Sequence, residues 1–236
     1  MIRAVYIISI CFLCLSACRD RCVRLEGPRL TFERILDTVS TVDLQTPALL
    51  TLSLDTDSVS SISILAQPEI HENIELKNKR GNLDIKLESC FKDKKDVILE
   101  LRTQRLDKVS SQSAGVIRTN EIIEQDTLLV ENEGLGDIEL LINTHRIDAS
   151  LIGSGDILLS GQTRILRAYS ENSGDLDALT LYADTVIINN FGSSIIQVYA
   201  TKYLEVNFFK PTTVAYLGQP ELIKTFGTGT LKEADL

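Results

Sequence analysis

The sequence has no tryptophan, one methionine and only two histidines among 236 residues, and aromatic residues make up just 6% of it. A core built on aromatic packing is therefore excluded, and the 44% hydrophobic content has to be carried by Ile, Leu and Val. Five prolines and 13 glycines are too few for a collagen-like or linker-like chain. Basic residues are outnumbered 24 to 33, the net charge is −9, and no basic face is visible. A phosphate backbone needs such a face, so nucleic acid is not an expected partner. An acidic chain stays soluble and repels anionic surfaces, which bounds the remaining partners without choosing one. Downstream of Cys18 there is no CxxC or Cys/His set, which argues against a zinc site. No serine sits in a G-x-S-x-G context, and neither histidine has a plausible triad spacing. Nothing in the sequence calls for a cofactor or a metal.

What is present begins with a processing signal. "MIRAVYIISICFLCLSAC" has a charged start at Arg3, an apolar run from Ala4 to Leu15 and small residues before Cys18. The run is too short to span a bilayer as a permanent helix. Leu15-Ser16-Ala17-Cys18 matches the bacterial lipobox, in which the signal (1–17) is cut before the cysteine and that cysteine is lipidated. The competing reading is an ordinary secretory signal that happens to end in Cys. Several acyl chains on Cys18 would anchor the protein firmly, where one alone binds only marginally. The expectation is a lipoprotein of the cell envelope, held at the outer membrane through a short tether, 18–28. Cleavage leaves Cys22 and Cys90, which an oxidising compartment could join or leave as free thiols.

Residues 29–108 alternate polar and apolar with period two. "TVDLQT", "LLTLSL", "SISILAQ", "NIELKN", "LDIKLES" and "VILELRT" read as strands half-buried on one face, separated by the charged or Gly-containing breaks "DTDS", "NKRGN" and "KDKKD". The nearest approach to an amphipathic helix is "FERILDTV", and it is short.

In the second half, 109–236, a Gly-Asp turn recurs every nineteen residues: "EGLGDIELL" from 133, "IGSGDILLS" from 152 and "ENSGDLDAL" from 171. Rows beginning at 190 and 209 continue the pattern. Aliphatic columns form when the rows are aligned, one through Ile138, Ile157, Leu176, Ile195 and Val214 and another through Ile147, Leu166, Thr185, Leu204 and Ile223. Leu128 extends the second column back by one row, and Val130 does the same for a parallel column through Ala149 and Ala168. Fixed-period self-similarity marks a stacked array, and nineteen residues hold two strands and two turns. Each repeat is then one coil of a right-handed parallel β-solenoid, with the strand-rich first half continuous with it. A β-sandwich with evenly spaced hairpins is the competing fold, but it has no reason to keep a nineteen-residue register. Gly136, Gly155 and Gly174 fall where each coil bends, at positions where glycine reaches positive φ cheaply.

The GSGD-type turns, the lipobox, the strand-rich first half and the late "VAYLGQPELIKTFGTGTLK" together resemble the head GIN domain family of auto-transporter adhesins from Gram-negative bacteria. Tyr216, Gly218 and Pro220 match the family's Y-x-G-x-P segment, which precedes a final Gly-rich turn, here Gly227 and Gly229. The resemblance spans about residues 29–234. It implies a β-helix akin to the pectin-lyase-like superhelices, a role in adhesion and no catalytic residues. "NFGSS" and "FKPTT" depart from the family's Gly-rich turn.

Asp137, Asp156 and Asp175 follow their glycines in one column, continued by Ser194 and Thr213. A file of carboxylates suggests either a weak cation ladder or an acidic groove like that of pectin-cleaving β-helices. The alternative is that each caps its own turn, and the hydroxyls that continue the column favour it. His145 shares a column with Arg164 and Lys202 and reads as a solvated turn residue. Tyr169, Tyr182, Tyr199, Tyr203 and Tyr216 crowd the last coils with Phe208 and Phe209, either as a binding surface or as a cap over open strand edges. The expected function is a non-catalytic, lipid-anchored adhesion or ligand-binding module. Its expected partners are the membrane, through the anchor, and a surface glycan or protein, with self-association through an open coil end. The alternatives are a β-helix enzyme acting on acidic polysaccharide and a periplasmic scaffold.

Overall fold

The computed structural model describes residues 22–56, 59–92 and 96–234. The signal segment and Cys18 lie outside them. The chain is nearly all-β, and its solenoid makes about seven turns. Four long strands carry the regular coils: Ile138–Leu151, Ile157–Ser170, Leu176–Asn190 and Ile196–Phe208. Each runs up one face, bends near its middle and returns along the other, and each pairs in parallel with the coil before it. Alternate side chains point between the two faces, as the period of two requires. In the first of these strands Ile138, Leu140, Ile142, Thr144, Ile147, Ala149 and Leu151 are all buried. Through the stack they become ladders, each aliphatic member contributing roughly 1.5–3 kcal/mol by burial.

One ladder runs Ile138, Ile157, Leu176, Ile196, Val214 and another Ile147, Leu166, Val186, Leu204, Ile223. Strict nineteen-residue rows place Ile195 and Thr185 in these columns, so the rows slip. The cause is local. Register shifts fall between Leu158 and Ser160 and across Ala178–Tyr182, where the third coil carries extra residues near its bend, and across Ala183–Thr185, where the fourth coil carries one. Ile195 is pushed out to solvent, 58% exposed, and Ser194 turns inward beside Ser170.

The first half continues the same two faces, in an order that differs from chain order. The coil made by Thr41–Leu44 and Leu49–Leu54 stacks directly under Lys108–Ser111 and Val116–Thr119. The later coil, Asn82–Leu87 and Ile98–Thr103, lies outside it. Beyond that the pairing becomes antiparallel. Ser61–Ala66 joins Ile98–Thr103 to the edge strand Leu30–Ile35, and Ile74–Lys79 closes the other face. "FERILDTV" thus contributes an edge strand. Among the described residues the helix is Pro68–Asn73, started by a proline in its first turn, and it buries Ile70 and His71 against this end of the core. His71 Nε2 lies 3.0 Å from the Leu30 carbonyl and 3.1 Å from that of Ala66, tying the helix to the edge strand. The N-terminal end of the ladders is therefore capped. Cys22 and Cys90 are joined in a disulfide, beside a short parallel pairing of Val23–Arg24 with Phe91–Lys92.

The C-terminal end is different. Leu222–Gly227 is exposed throughout, and the last rung of the second ladder, Ile223, is 39% exposed.

Candidate binding surface

The turn edge, where the Gly-Asp motif lies, is closed by backbone approach. Gly136, Gly155 and Gly174 do not have positive φ. A Cβ on any of them would instead sit within 3.0 Å of the carbonyl oxygen of Gly115, Gly136 or Gly155 in the preceding coil. The requirement is close stacking rather than the left-handed region. Gly227 does have positive φ, +93°, and Gly229 leaves room for the Phe208 ring.

The carboxylates of the Gly-Asp file are already engaged. Asp137 Oδ1 accepts the Asp156 amide at 2.9 Å, Asp156 Oδ1 accepts the Asp175 amide at 2.9 Å, and Asp175 Oδ1 accepts the Ile195 amide at 2.8 Å. Each side chain thus caps the next coil rather than its own turn, and the fourth member of the column is Ile195, not Ser194. Among the described residues no group of three or more His, Cys, Asp or Glu side chains is placed to hold a metal ion.

Two buried asparagines do parallel work that the sequence pattern does not reveal. Asn132 donates from Nδ2 to the Gly136 carbonyl at 2.8 Å and to that of Asp156 at 3.1 Å, while its Oδ1 accepts the Gly134 amide. Asn190 accepts the Gly192 amide and donates to Thr212. Both occupy inward positions of the strand ladder, where an apolar residue is the default expectation. Their recurrence just ahead of a turn is the one signal that could have found them.

The aromatic residues divide into separate groups. Phe208 is buried in the core, while its neighbour Phe209 points outward, 57% exposed, and stacks on Phe191 with ring centroids 3.7 Å apart. Tyr169 meets Phe191 from the other side at 5.4 Å, so three rings form a file along the turn edge. The Tyr169 hydroxyl pairs with Glu171, and the loss of hydration together with that carboxylate raises its pKa. Tyr203 lies on a flat face, where its hydroxyl donates to Glu205 and Lys224 lies 5.6 Å from its ring centroid. That hydrogen bond, with a second from Asn207, holds the Glu205 carboxyl below its usual range. Tyr216 packs part-buried against the core.

Tyr182 and Tyr199 belong to the opposite, bend edge. They are paired across coils despite being seventeen residues apart, and their rings meet edge to face at 4.7 Å. Backbone register puts Asn143, Gln162, Tyr182, Tyr199 and Leu217 in one column running along the solenoid axis. Beside it runs a polar column of His145, Arg164 and Asp184, ending at Thr201 and Lys202. The coil-to-coil step is about 4.8 Å, so the five-residue column spans about 19 Å. Gly161 and Gly218 flank the column with φ of +115° and +95°; a side chain at either would strike the carbonyl of the preceding coil.

The columns enclose an open hollow of about 310 Å³ lined by Asn143, Gln162, Arg164, Tyr182, Asp184 and Thr201. A second hollow of about 460 Å³ continues it past Tyr199 and Thr201 to Gln219 and Glu233. Asp184 accepts from Lys202 Nζ at 2.8 Å and from Thr201 Oγ1 at 3.0 Å, and these bonds hold its carboxyl below the usual range. A further, more apolar hollow of about 600 Å³ lies at the junction of the first coils, lined by Ala48, Leu49, Val97, Ile98, Val116 and Arg118.

These features define a class of protein, a parallel β-solenoid of about nineteen residues per coil whose exposed chemistry runs in files along its axis. The chain belongs to the family described as putative auto-transporter adhesin, head GIN domain, whose model matches residues 41–220. No curated protein matches it in sequence. Among solved structures, it is similar to a putative adhesin from Bacteroides fragilis NCTC 9343, at 19% identity over 90% of this chain and 100% of that one, with a TM-score of 0.84. A putative adhesin from Parabacteroides distasonis ATCC 8503 matches at 15% identity over 90% of this chain and 99% of that one, with a TM-score of 0.75. From the same organism, a putative lipid binding protein matches at 16% identity over 90% of this chain and 99% of that one, with a TM-score of 0.71. At these identities the likeness is one of fold.

Proposed function

We propose that this protein is a lipid-anchored, non-catalytic binding module of the outer membrane, attached through Cys18 and engaging an extended partner along its flank. The observation that carries the reading is the axial arrangement of exposed side chains. The turn edge presents Tyr169, Phe191 and Phe209 in contact across successive coils, and the bend edge presents Tyr182 and Tyr199 beside the amides of Asn143 and Gln162, which have no hydrogen-bond partner among the described residues. Repetition at the coil spacing suits a polymeric or repetitive partner, since each coil adds a contact without a new loop and linked contacts raise avidity. The adhesin descriptions of the family and of its structural relatives support the same reading. In the Gly-Asp file each carboxylate spends one oxygen on a backbone amide of the next coil, which favours a coil-capping role over an acidic groove.

The test uses the mature chain bearing Cys18→Ser, coated on beads and offered to bacterial, host-cell and matrix surfaces. Adherence is expected, and it falls when Tyr182 and Phe209 are both changed to Ala. Equal adherence by wild type and double variant, or none by either, contradicts the reading.

A further inference from the structure

Resting on the binding-module reading, we infer that the groove along the bend edge is a carbohydrate site that takes a neutral chain of pyranose units lying parallel to the solenoid axis. Three observations meet in this groove and nowhere else among the described residues.

First, it pairs an exposed aromatic face with free amides. Tyr182 is 54% exposed, and Tyr199 braces it edge-on, fixing the angle of its ring. A pyranose has one face made largely of C–H groups and a rim of hydroxyls. The face gains by covering an aromatic ring, which is apolar across its surface and polar only at its edge. The rim needs groups that both donate and accept, and a carboxamide does both. Asn143 and Gln162 continue the column of Tyr182, and neither amide has a hydrogen-bond partner among the described residues.

Second, the groove is electrically balanced. Arg164 and Lys202 carry two positive charges, and Asp184 and Glu233 carry two negative ones. Lys202 is held by Asp184, and the one further cation lining the groove, Arg164, is offset by the carboxylates of Asp184 and Glu233, so the groove carries no net charge with which to grip an anionic polymer. A uronate or sulfated chain would face Asp184 and Glu233 with no net attraction, whereas uncharged hydroxyls find a mixture of donors and acceptors.

Third, the groove has polymer shape. Its two hollows share Thr201, and the column of side chains follows the axis over five coils. The walls are preformed: the positive-φ glycines Gly161 and Gly218 let the coils stack tightly at the margins. The Ser160–Thr180 hydroxyl pair, 2.8 Å apart, adds a tie where the register shifts. A preformed groove gives up little conformational entropy on binding.

The experiment is isothermal titration of the mature Cys18→Ser chain with cellohexaose, xylohexaose and maltohexaose, with a hexamer of galacturonate as the anionic comparison. At least one neutral hexaose is expected to bind, and the galacturonate hexamer more weakly. Tyr182→Ala should raise Kd at least ten-fold, Tyr182→Phe should leave it within about two-fold because the ring face is kept, and Gln162→Ala should raise it several-fold. Thermal melts of each variant show whether the fold is retained, and Tyr182→Phe preserves the comparison if Tyr182→Ala is unstable. Binding of none of the neutral chains, preference for galacturonate, or binding lost in Phe209→Ala and kept in Tyr182→Ala would each overturn the assignment. Beads that adhere while no hexaose binds refute the carbohydrate site alone; beads that fail to adhere refute the reading beneath it.

Discussion

Replacing Gly155 by alanine adds one methyl group at the most crowded point of the turn edge. The new Cβ would lie within 3.0 Å of the Gly136 carbonyl oxygen and of its carbon, and close to the backbone of Leu135. None of these is the end of a flexible side chain. The Gly136 carbonyl is itself held by Asn132 Nδ2 at 2.8 Å, so it cannot yield without stretching that bond. Relief requires the 152–156 turn to lift away from the coil beneath it, which strains the bond from the Asp156 amide to Asp137 Oδ1 and that from the Gly155 amide to the Gly134 carbonyl. Overpacking costs about 1–3 kcal/mol, and weakening one buried hydrogen bond adds about 1 kcal/mol. The expected destabilisation is therefore about 2–4 kcal/mol, and Gly155→Val should exceed it. With a urea slope of about 1–3 kcal/mol/M, the midpoint in circular dichroism should fall by about 0.7 M or more. The exposed Leu135→Ala in the neighbouring turn serves as comparison and should shift it little. A Gly155→Ala midpoint equal to wild type would refute the argument that close coil stacking dictates glycine here.

Asn132→Ala should cost about 2–4 kcal/mol in the same assay, because it leaves the Gly134 amide and the Gly136 and Asp156 carbonyls short of partners inside the core; a change below about 0.5 kcal/mol contradicts the assigned role. Asp156→Asn retains an oxygen to accept the Asp175 amide, so it should be tolerated better than Asp156→Ala, and calcium should not raise Tm; a calcium-dependent rise that Asp156→Asn abolishes would restore the cation ladder. Asp184 has its pKa lowered, chiefly by its hydrogen bond from Lys202, so the charged carboxylate favours the folded state above the ordinary value of 3.8, and that contribution disappears as pH falls through the depressed value. The Tm difference between wild type and Asp184→Asn should therefore be present at neutral pH and vanish on acidification below that range; a difference that grows in acid contradicts the pairing.

Much of the architecture is legible from two periodicities. Alternation with period two marks the strands, and a nineteen-residue recurrence stacks them, because both follow directly from side-chain direction and coil length. Coil order is not legible in this way. Nothing in "TVDLQT" or "LDIKLES" says which will lie next to Lys108–Ser111, and the earlier segment takes that place. The bend-edge groove escapes the rows for a related reason. Tyr182 and Tyr199 are neighbours only because the third coil holds extra residues near its bend, an irregularity that a fixed period averages away. Asn132 and Asn190 are hidden by a chemical rule: a polar residue at an inward position reads as a strand end unless its backbone partners in the next turn are known. The glycines were recognisable as turn residues, but their reason, the carbonyl of the coil below, exists only once coils are stacked.

Surface display, the condition under which an extended ligand can reach the flanks of the solenoid, is tested most directly by protease treatment of intact cells. With the chain detected by antibody, surface display predicts that added protease cleaves the protein on unbroken cells while a periplasmic control survives. Protection until the outer membrane is permeabilised would contradict it and leave a protein that works inside the envelope.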